Sequence, residues 1–299
     1  MHGSSTADGR TSAGFGPRRS IFNGADLTGW RAVPRTPVPE YPGGPYHPEV
    51  DDAYRRRALT SSGRWQVVDG VLVGGQEPPG SGLGGYLVTE ETFADFELAF
   101  EVRPDWPVDT GVLVRSTDLG SQGFQLLVDH RQSGGIGGFY GNGTGAFHAL
   151  GFAMDARRDA DGRPAGLVLD DPTTSVEPVT PAKQALLSYS ASPEEFLRSW
   201  RWDDWNAFTV TCVGEFPVLT SRINGVKMCE VDTGSLAWPT YDREAVAALL
   251  GRSGHIALEV HHNDPGLGEG RWAPGAVVRF RNIAVREPVD AVRPPVSRA

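Results

Sequence analysis

The stretch DFELAFEVR, residues 95–103, decides the fold. Its large apolar side chains fall at Phe96, Leu98, Phe100 and Val102, with Glu97, Ala99, Glu101 and Arg103 between them. Successive side chains of a strand point to opposite faces, so this alternation predicts a strand with one face in a core. The same period recurs outward in both directions. RWQVVDGVLVGG (64–75) reads as two strands around an Asp69-Gly70 turn, and Asn224-Gly225 marks a second hairpin inside 205–231. TGVLVRS (110–116), GFQLLVDH (123–130), GHIALEV (254–260) and AVVRFRNIAVRE (276–287) continue the pattern. Many short antiparallel strands divided by Gly, Asp and Pro predict an all-β sandwich or jelly roll, and the 38 glycines and 23 prolines fit its turns.

Two segments break the pattern. Residues 31–63 are proline-rich and irregular, and residues 155–200 are mostly charged loop. Ser-Pro-Glu-Glu from Ser192 predicts a short helix start, and REAVAALLG (243–251) predicts a helix closed by a glycine. We therefore expect one domain over 20–288, with insertions at 31–63 and 155–200 that frame a binding site. Residues 1–19 are expected to be a disordered leader and 289–299 a tail.

The net charge of −9 argues against nucleic acid, because phosphate contacts need clustered Lys and Arg. No stretch approaches the length of a membrane span, and the N-terminus lacks the apolar core of a secretory signal. The expected location is the cytoplasm. Oligomeric state is left open. Cys212 and Cys229 occur in one strand-rich region, which allows either a disulfide or two buried thiols, the latter being the cytosolic default.

IFNGADLTGW (21–30) is similar to the opening of the 3-keto-disaccharide hydrolase-like family. WQVVDGVLVG, YLVTEETFADFELAFEVR, DTGVLVRS, WNAFTV, INGV, GHIALEVH and VRFRNIAVRE follow in that family's order. The resemblance covers 20–30 and most of 64–287, with the two insertions outside it. It implies a concanavalin-like jelly roll of two curved antiparallel sheets, with short helices in the insertions, as in glycoside hydrolase family 16. It also implies cleavage of 3-keto-glycosides, by proton abstraction at C2 and elimination or hydrolysis at C1. Shared fold does not fix chemistry. A non-catalytic carbohydrate-binding module and a retaining β-glucanase are the alternatives. No nearby carboxylate cluster on one strand supports the glucanase, and Glu97 and Glu101, about 13 Å apart on one strand, read as a solvated face.

Such a reaction needs a base near neutrality, an electrophile at the ketone oxygen and an acid at the leaving group. Alternation sorts the candidates. Glu259 and His261 share a face and stand about 6.8 Å apart, able to flank one small ligand. His130, His148 and His261 are the candidate bases, with Glu259 beside them. Asp129 and Gln125 share the groove face of their strand, and Arg115 is assigned to the groove face of its own and to the sugar or enediolate. The glycine-rich SGGIGGFYGNGTGAFHALGF (133–152) predicts a tight hairpin at the groove edge presenting Tyr140, Asn142 and His148. Trp272 is a candidate groove wall, and Trp200, Trp202 and Trp205 could stack on sugars. Glu259, His261 and Asp129 are candidate ligands of a divalent metal ion. His255 reads as structural, and His262 as at most a neighbour of the site. The family often carries Glu where this chain has Gln125, so any acid–base role of that position is lost here.

Overall fold

A computed structural model describes residues 14–48 and 50–289. The expected leader over 1–13 and the tail over 290–299 lie outside the described residues. In chain order the strands begin β1 (Arg19–Ser20), β2 (Trp30–Pro34), β3 (Arg64–Val68), β4 (Val71–Gly75), β5 (Gly85–Thr89) and β6 (Phe96–Pro104). They continue β7 (Gly111–Ser116), β8 (Gly123–Val128), β9 (Ile136–Asn142), β10 (His148–Ala149), β11 (Met154–Arg158) and β12 (Pro164–Leu169). The last six are β13 (Tyr189–Ser190), β14 (Asn206–Val213), β15 (Val218–Ile223), β16 (Val226–Asp232), β17 (His255–Val260) and β18 (Val277–Arg286). Four short helices are α1 (Asp52–Ala58), α2 (Pro181–Gln184), α3 (Pro193–Ser199) and α4 (Arg243–Leu250).

Two antiparallel sheets form the expected sandwich. One runs β13-β16-β15-β14-β6-β18-β4-β3, with β1 beside β18; the other runs β10-β9-β8-β7-β17-β5-β2. Phe96, Leu98, Phe100 and Val102 of β6 are buried, as alternation predicts, opposite Val112, Val114, Phe124, Leu126, Ile256 and Leu258 of the second sheet. Phe100 stacks on Phe208 at 5.3 Å. Each such side chain contributes roughly 1.5–3 kcal/mol when fully buried, so these two faces carry much of the stability. Both predicted hairpin turns form, with Asp69 and Gly70 at φ 50° and 79° and Asn224 and Gly225 at 49° and 86°.

Several local expectations change. Residues 14–19 run beside the end of β18 instead of hanging free, because its edge offers backbone partners: Gly16 N–H donates to Glu287 O and β1 pairs with β18. Glu97 and Glu101 are not simply solvated: Arg18 and Arg286 hold Glu97, and Arg281 holds Glu101. The segment 155–200 contains β11 to β13 and two helices. The predicted one, α3, starts at Ser192 with a reciprocal Ser192–Glu195 cap. Cys212 and Cys229 are free and buried, and burial pushes their thiols up to about 11 and about 12. No helix among the described residues is long and apolar enough to cross a membrane.

The second sheet is unusual in one respect that positions the site. Strands β7 and β8 are buried at every residue, on both faces. One face is the sandwich core. The other is roofed by the two insertions and the loop after β17, and polar residues line it.

Candidate functional site

The roofed face forms a groove of about 630 Å³, within the range of small-molecule sites. Its floor follows from strand register. Glu259 on β17 stands opposite Tyr86 on β5, and Tyr86 stands opposite Val33 on β2. Glu259 is completely buried. Its Oε1 accepts from Tyr86 Oη at 3.0 Å and Arg35 Nε at 2.8 Å, and its Oε2 accepts from Gln125 Nε2 at 2.5 Å. Gln125 reaches it across β7 because the intervening residue is Gly111, where a Cβ would lie 2.4 Å from the Gln125 amide nitrogen. Asn142 extends the chain of contacts by donating to Tyr86 Oη at 3.1 Å. Glu259 thus lies beneath the groove as an anchor for groups that reach into it.

Arg35 is the principal residue that the sequence reading missed. It continues the face set by β2, two residues beyond Val33, at the start of the proline-rich insertion. Its only signal is to be the one cation between Arg31 and Arg55 in a run of prolines. Arg35 Nη2 lies 2.9 Å from His261 Nε2. His261 Nδ1 faces the His262 carbonyl at 2.5 Å, so Nδ1 carries the hydrogen and Nε2 presents its lone pair to Arg35. Burial, and then the Arg35 charge, hold the His261 imidazole well below its ordinary value; it is neutral near pH 7.

A second cluster closes one end of the groove. Asp109 accepts from Arg131 Nε at 2.6 Å and from Arg271 Nη1. Glu177, from the 155–200 insertion, accepts from Arg131 Nη2 at 2.6 Å and Arg271 Nη2 at 3.2 Å. Arg271 Nε also donates to Asp264 in the loop after β17. Asp129 lies against this group with Oδ2 4.0 Å from Arg131 Nη2, and its buried Oδ1 has no hydrogen-bond partner. Burial, reinforced by Asp109, raises the Asp129 carboxyl well above the carboxylate range. Burial opposes ionisation of Asp109 too, but the Arg131 and Arg271 charges outweigh it and hold that group well below the range. Arg131, Arg271, Asp109 and Glu177 were not picked out from the sequence, because their meeting depends on how two loops dock.

Of the sequence candidates, Gln125, Asp129, Tyr140, Asn142, His148 and His261 line the groove. The predicted hairpin forms from β9 and β10, with His148 opposite Tyr140 and their rings 4.6 Å apart. Burial, with the Lys183 charge, lowers His148 to about 4. Burial raises Tyr140 to about 12.

Other candidates lie elsewhere. Arg115 is turned out of alternation by a bulge, visible as a register shift between β7 and β17 and as φ 50° at Arg115 itself. Its guanidinium donates to the carbonyls of Gly214, Glu215 and Ala94 and braces the two sheets. His130 follows Asp129 but points away from the groove, packed against Trp106, Trp200 and Trp202. Trp272 is fully buried and donates to Ala276 O at 2.9 Å. His262 is also buried, between Tyr54 Oη and Gly84 O. Trp205 has one face covered by Arg281, 4.1 Å from the ring centre.

The three candidate metal ligands are not brought together. Glu259 is committed to Arg35, Tyr86 and Gln125, and Arg35 stands between it and His261. Among the described residues no three His, Cys, Asp or Glu side chains gather as a ligand set.

Comparison with solved structures finds relatives of low identity. A structure from Parabacteroides distasonis ATCC 8503 is 16% identical over 91% of this chain and 94% of its own, with TM-score 0.45. The carbohydrate-binding module CBM66 from Bacillus subtilis is 10% identical over 75% and 92%, with TM-score 0.41. The alginate lyase Aly36B is 13% identical over 75% and 83%, with TM-score 0.37. No curated protein matches the chain. The family comparison spans residues 17–286 and so nearly all of the described fold; the chain belongs to the family of the 3-keto-alpha-glucoside-1,2-lyase-like domain.

Proposed function

We propose that the protein cleaves 3-keto-glycosides by removing the C2 proton and expelling the C1 substituent. The observation that carries this reading is the Arg35–His261 contact. A neutral imidazole with its lone pair turned inward lies 2.9 Å from a guanidinium that is fixed from behind by a buried carboxylate. A ketone at C3 acidifies the C2 proton, and its removal needs a base beside a cation that receives the developing oxyanion. Arg35 keeps its Nε on Glu259 while Nη2 exchanges His261 for the ketone oxygen. That exchange frees His261 Nε2 to take the C2 proton. Elimination then gives the 2-hydroxy-3-keto-glycal, to which water can add, and the free aglycone.

The test is incubation with a 3-keto-glucoside in deuterated water, followed by NMR for glycal and released aglycone. Turnover by the native protein and its loss in His261→Ala with the fold retained are the expected results. Binding without turnover would instead make the protein a carbohydrate-binding module. Cleavage of an unoxidised β-glucan would make it a glucanase.

A further inference from the structure

Expulsion of a sugar or alkyl aglycone leaves an alkoxide unless its oxygen is protonated as the C1–O bond breaks. The base and the oxyanion partner do not supply that proton. We propose, building on the keto-glycoside reading, that Asp129 is the general acid that protonates the leaving oxygen, and that Asp109 is the residue that keeps it protonated between turnovers.

The argument begins from register. Val108 bridges His130, and Gly111 pairs with Leu127, so Asp109 and Asp129 face each other across the two strands. Val108 N–H bonds His130 O and Val128 N–H bonds Thr110 O, on either side of them. Asp109 and Asp129 are therefore a non-hydrogen-bonded pair, the geometry that brings side chains closest, with α-carbons about 4.5 Å apart. Two carboxylates so placed cannot both ionise, and they hold one proton between them. Its position follows from the hydrogen bonds. Asp109 accepts from the guanidinium groups of Arg131 and Arg271, whose charges favour its carboxylate form. Asp129 is only 4% exposed, lines the groove, and has an oxygen without a partner. The charged groups that act on it are Asp109, Arg131 and Glu177, and the first and last favour the protonated form.

On its other side Asp109 meets the loop after β17: Val108 bridges Trp272, and Asp109 N–H donates to Arg271 O at 2.9 Å. His261, just past the end of β17, lines the same groove as Asp109 and Asp129, so base and acid face one cavity. The step balances without further reagents. His261 takes the C2 proton, the C–H electrons form the C1=C2 bond, and the C1–O pair passes to the oxygen, which takes the Asp129 proton. Repulsion from Asp109 then draws a proton back onto Asp129, and the imidazolium releases one.

Leaving-group dependence tests this. A 4-nitrophenyl 3-keto-glucoside needs no proton to depart, whereas the methyl 3-keto-glucoside does. Asp129→Asn is expected to keep the 4-nitrophenyl rate within about 3-fold and to lose on the order of 10²-fold or more on the methyl substrate. Equal losses on both, or none on the methyl substrate, would overturn the assignment while leaving the reaction class standing. Turnover of neither substrate by the native protein would instead remove the reading on which it rests. If the variant does not fold, the native protein decides: across a series of phenol and alcohol leaving groups a shallow dependence of rate on leaving-group pKa supports the acid, and a steep one refutes it.

Discussion

Replacing Gln125 by Glu puts a second carboxyl against Glu259, and the consequences can be worked from one distance. The Gln125 amide nitrogen is 2.5 Å from Glu259 Oε2, and both side chains are buried. Two negative charges that close repel by about 6–7 kcal/mol at an effective dielectric constant of about 20, on the order of 4–5 pKa units. The introduced carboxyl therefore stays protonated at pH 7 and donates to Glu259, and the variant folds. Its folded pKa is raised above the unfolded value of about 4.3, so its contribution to stability is intact below that value and is lost as pH rises toward the folded pKa. Relative to the native protein, Gln125→Glu should lose about 1.4 kcal/mol of stability per pH unit between pH 5 and 7. Urea unfolding of both proteins at half-unit intervals of pH measures this. Parallel curves would mean that the two side chains are not in contact, and the account of the groove floor would fail with them.

Arg115→Ala should cost about 1–3 kcal/mol in urea unfolding, because it removes a buried guanidinium that donates to three part-buried carbonyls. Its folded fraction should turn over a 3-keto-glucoside within about 2-fold of the native rate, and a selective loss of kcat would return Arg115 to the site. Gly111→Ala drives Gln125 off Glu259 and should cost about 1.5–3 kcal/mol, shrinking in a Gln125→Ala background; an undiminished cost there refutes the coupling. His130 is lowered by burial from 6.5 to about 4, so its neutral form stabilises the fold above pH 6.5 and that stability is lost as pH falls toward 4. Between pH 7.5 and 5.0 His130→Asn should lose about 2 kcal/mol less than the native protein, and equal losses would show that the imidazole is not held neutral.

Alternation made the sandwich legible because one face of β6, β8 and β17 packs into the apolar core while the other carries mostly polar or small side chains. It also placed Glu259, His261, Gln125 and Asp129 on one side of the second sheet. The glycine run announced its hairpin, since only a tight turn needs so many residues without a Cβ. Alternation failed at Arg115 for a definite reason. A bulge at a residue other than Gly or Asn leaves no mark in composition, and here it is set by carbonyls of a distant hairpin. It failed at His130 and Trp272 because strand ends carry no period to extend. Arg35, Arg131, Arg271 and Glu177 were out of reach because their partners lie up to 226 positions away, on loops whose docking no local pattern encodes.

That division between sheet and loops bears on the chemistry. The second sheet and the ends of its strands supply the acidic and neutral groups of the site: Glu259, Asp109, Asp129, Gln125 and His261. On its own this face would be a row of buried carboxyls, and burial would push them toward protonation. The cations that pair with them come from outside the regular strands: Arg35 from the proline-rich insertion, Arg131 from the turn after β8, and Arg271 from the loop after β17. Glu177, from the other insertion, ties Arg131 to Arg271. The protonation pattern of the floor is therefore written by its roof. Two chains sharing this sandwich but differing in these loops would hold the same carboxyls in different charge states, so the fold alone does not name the reaction.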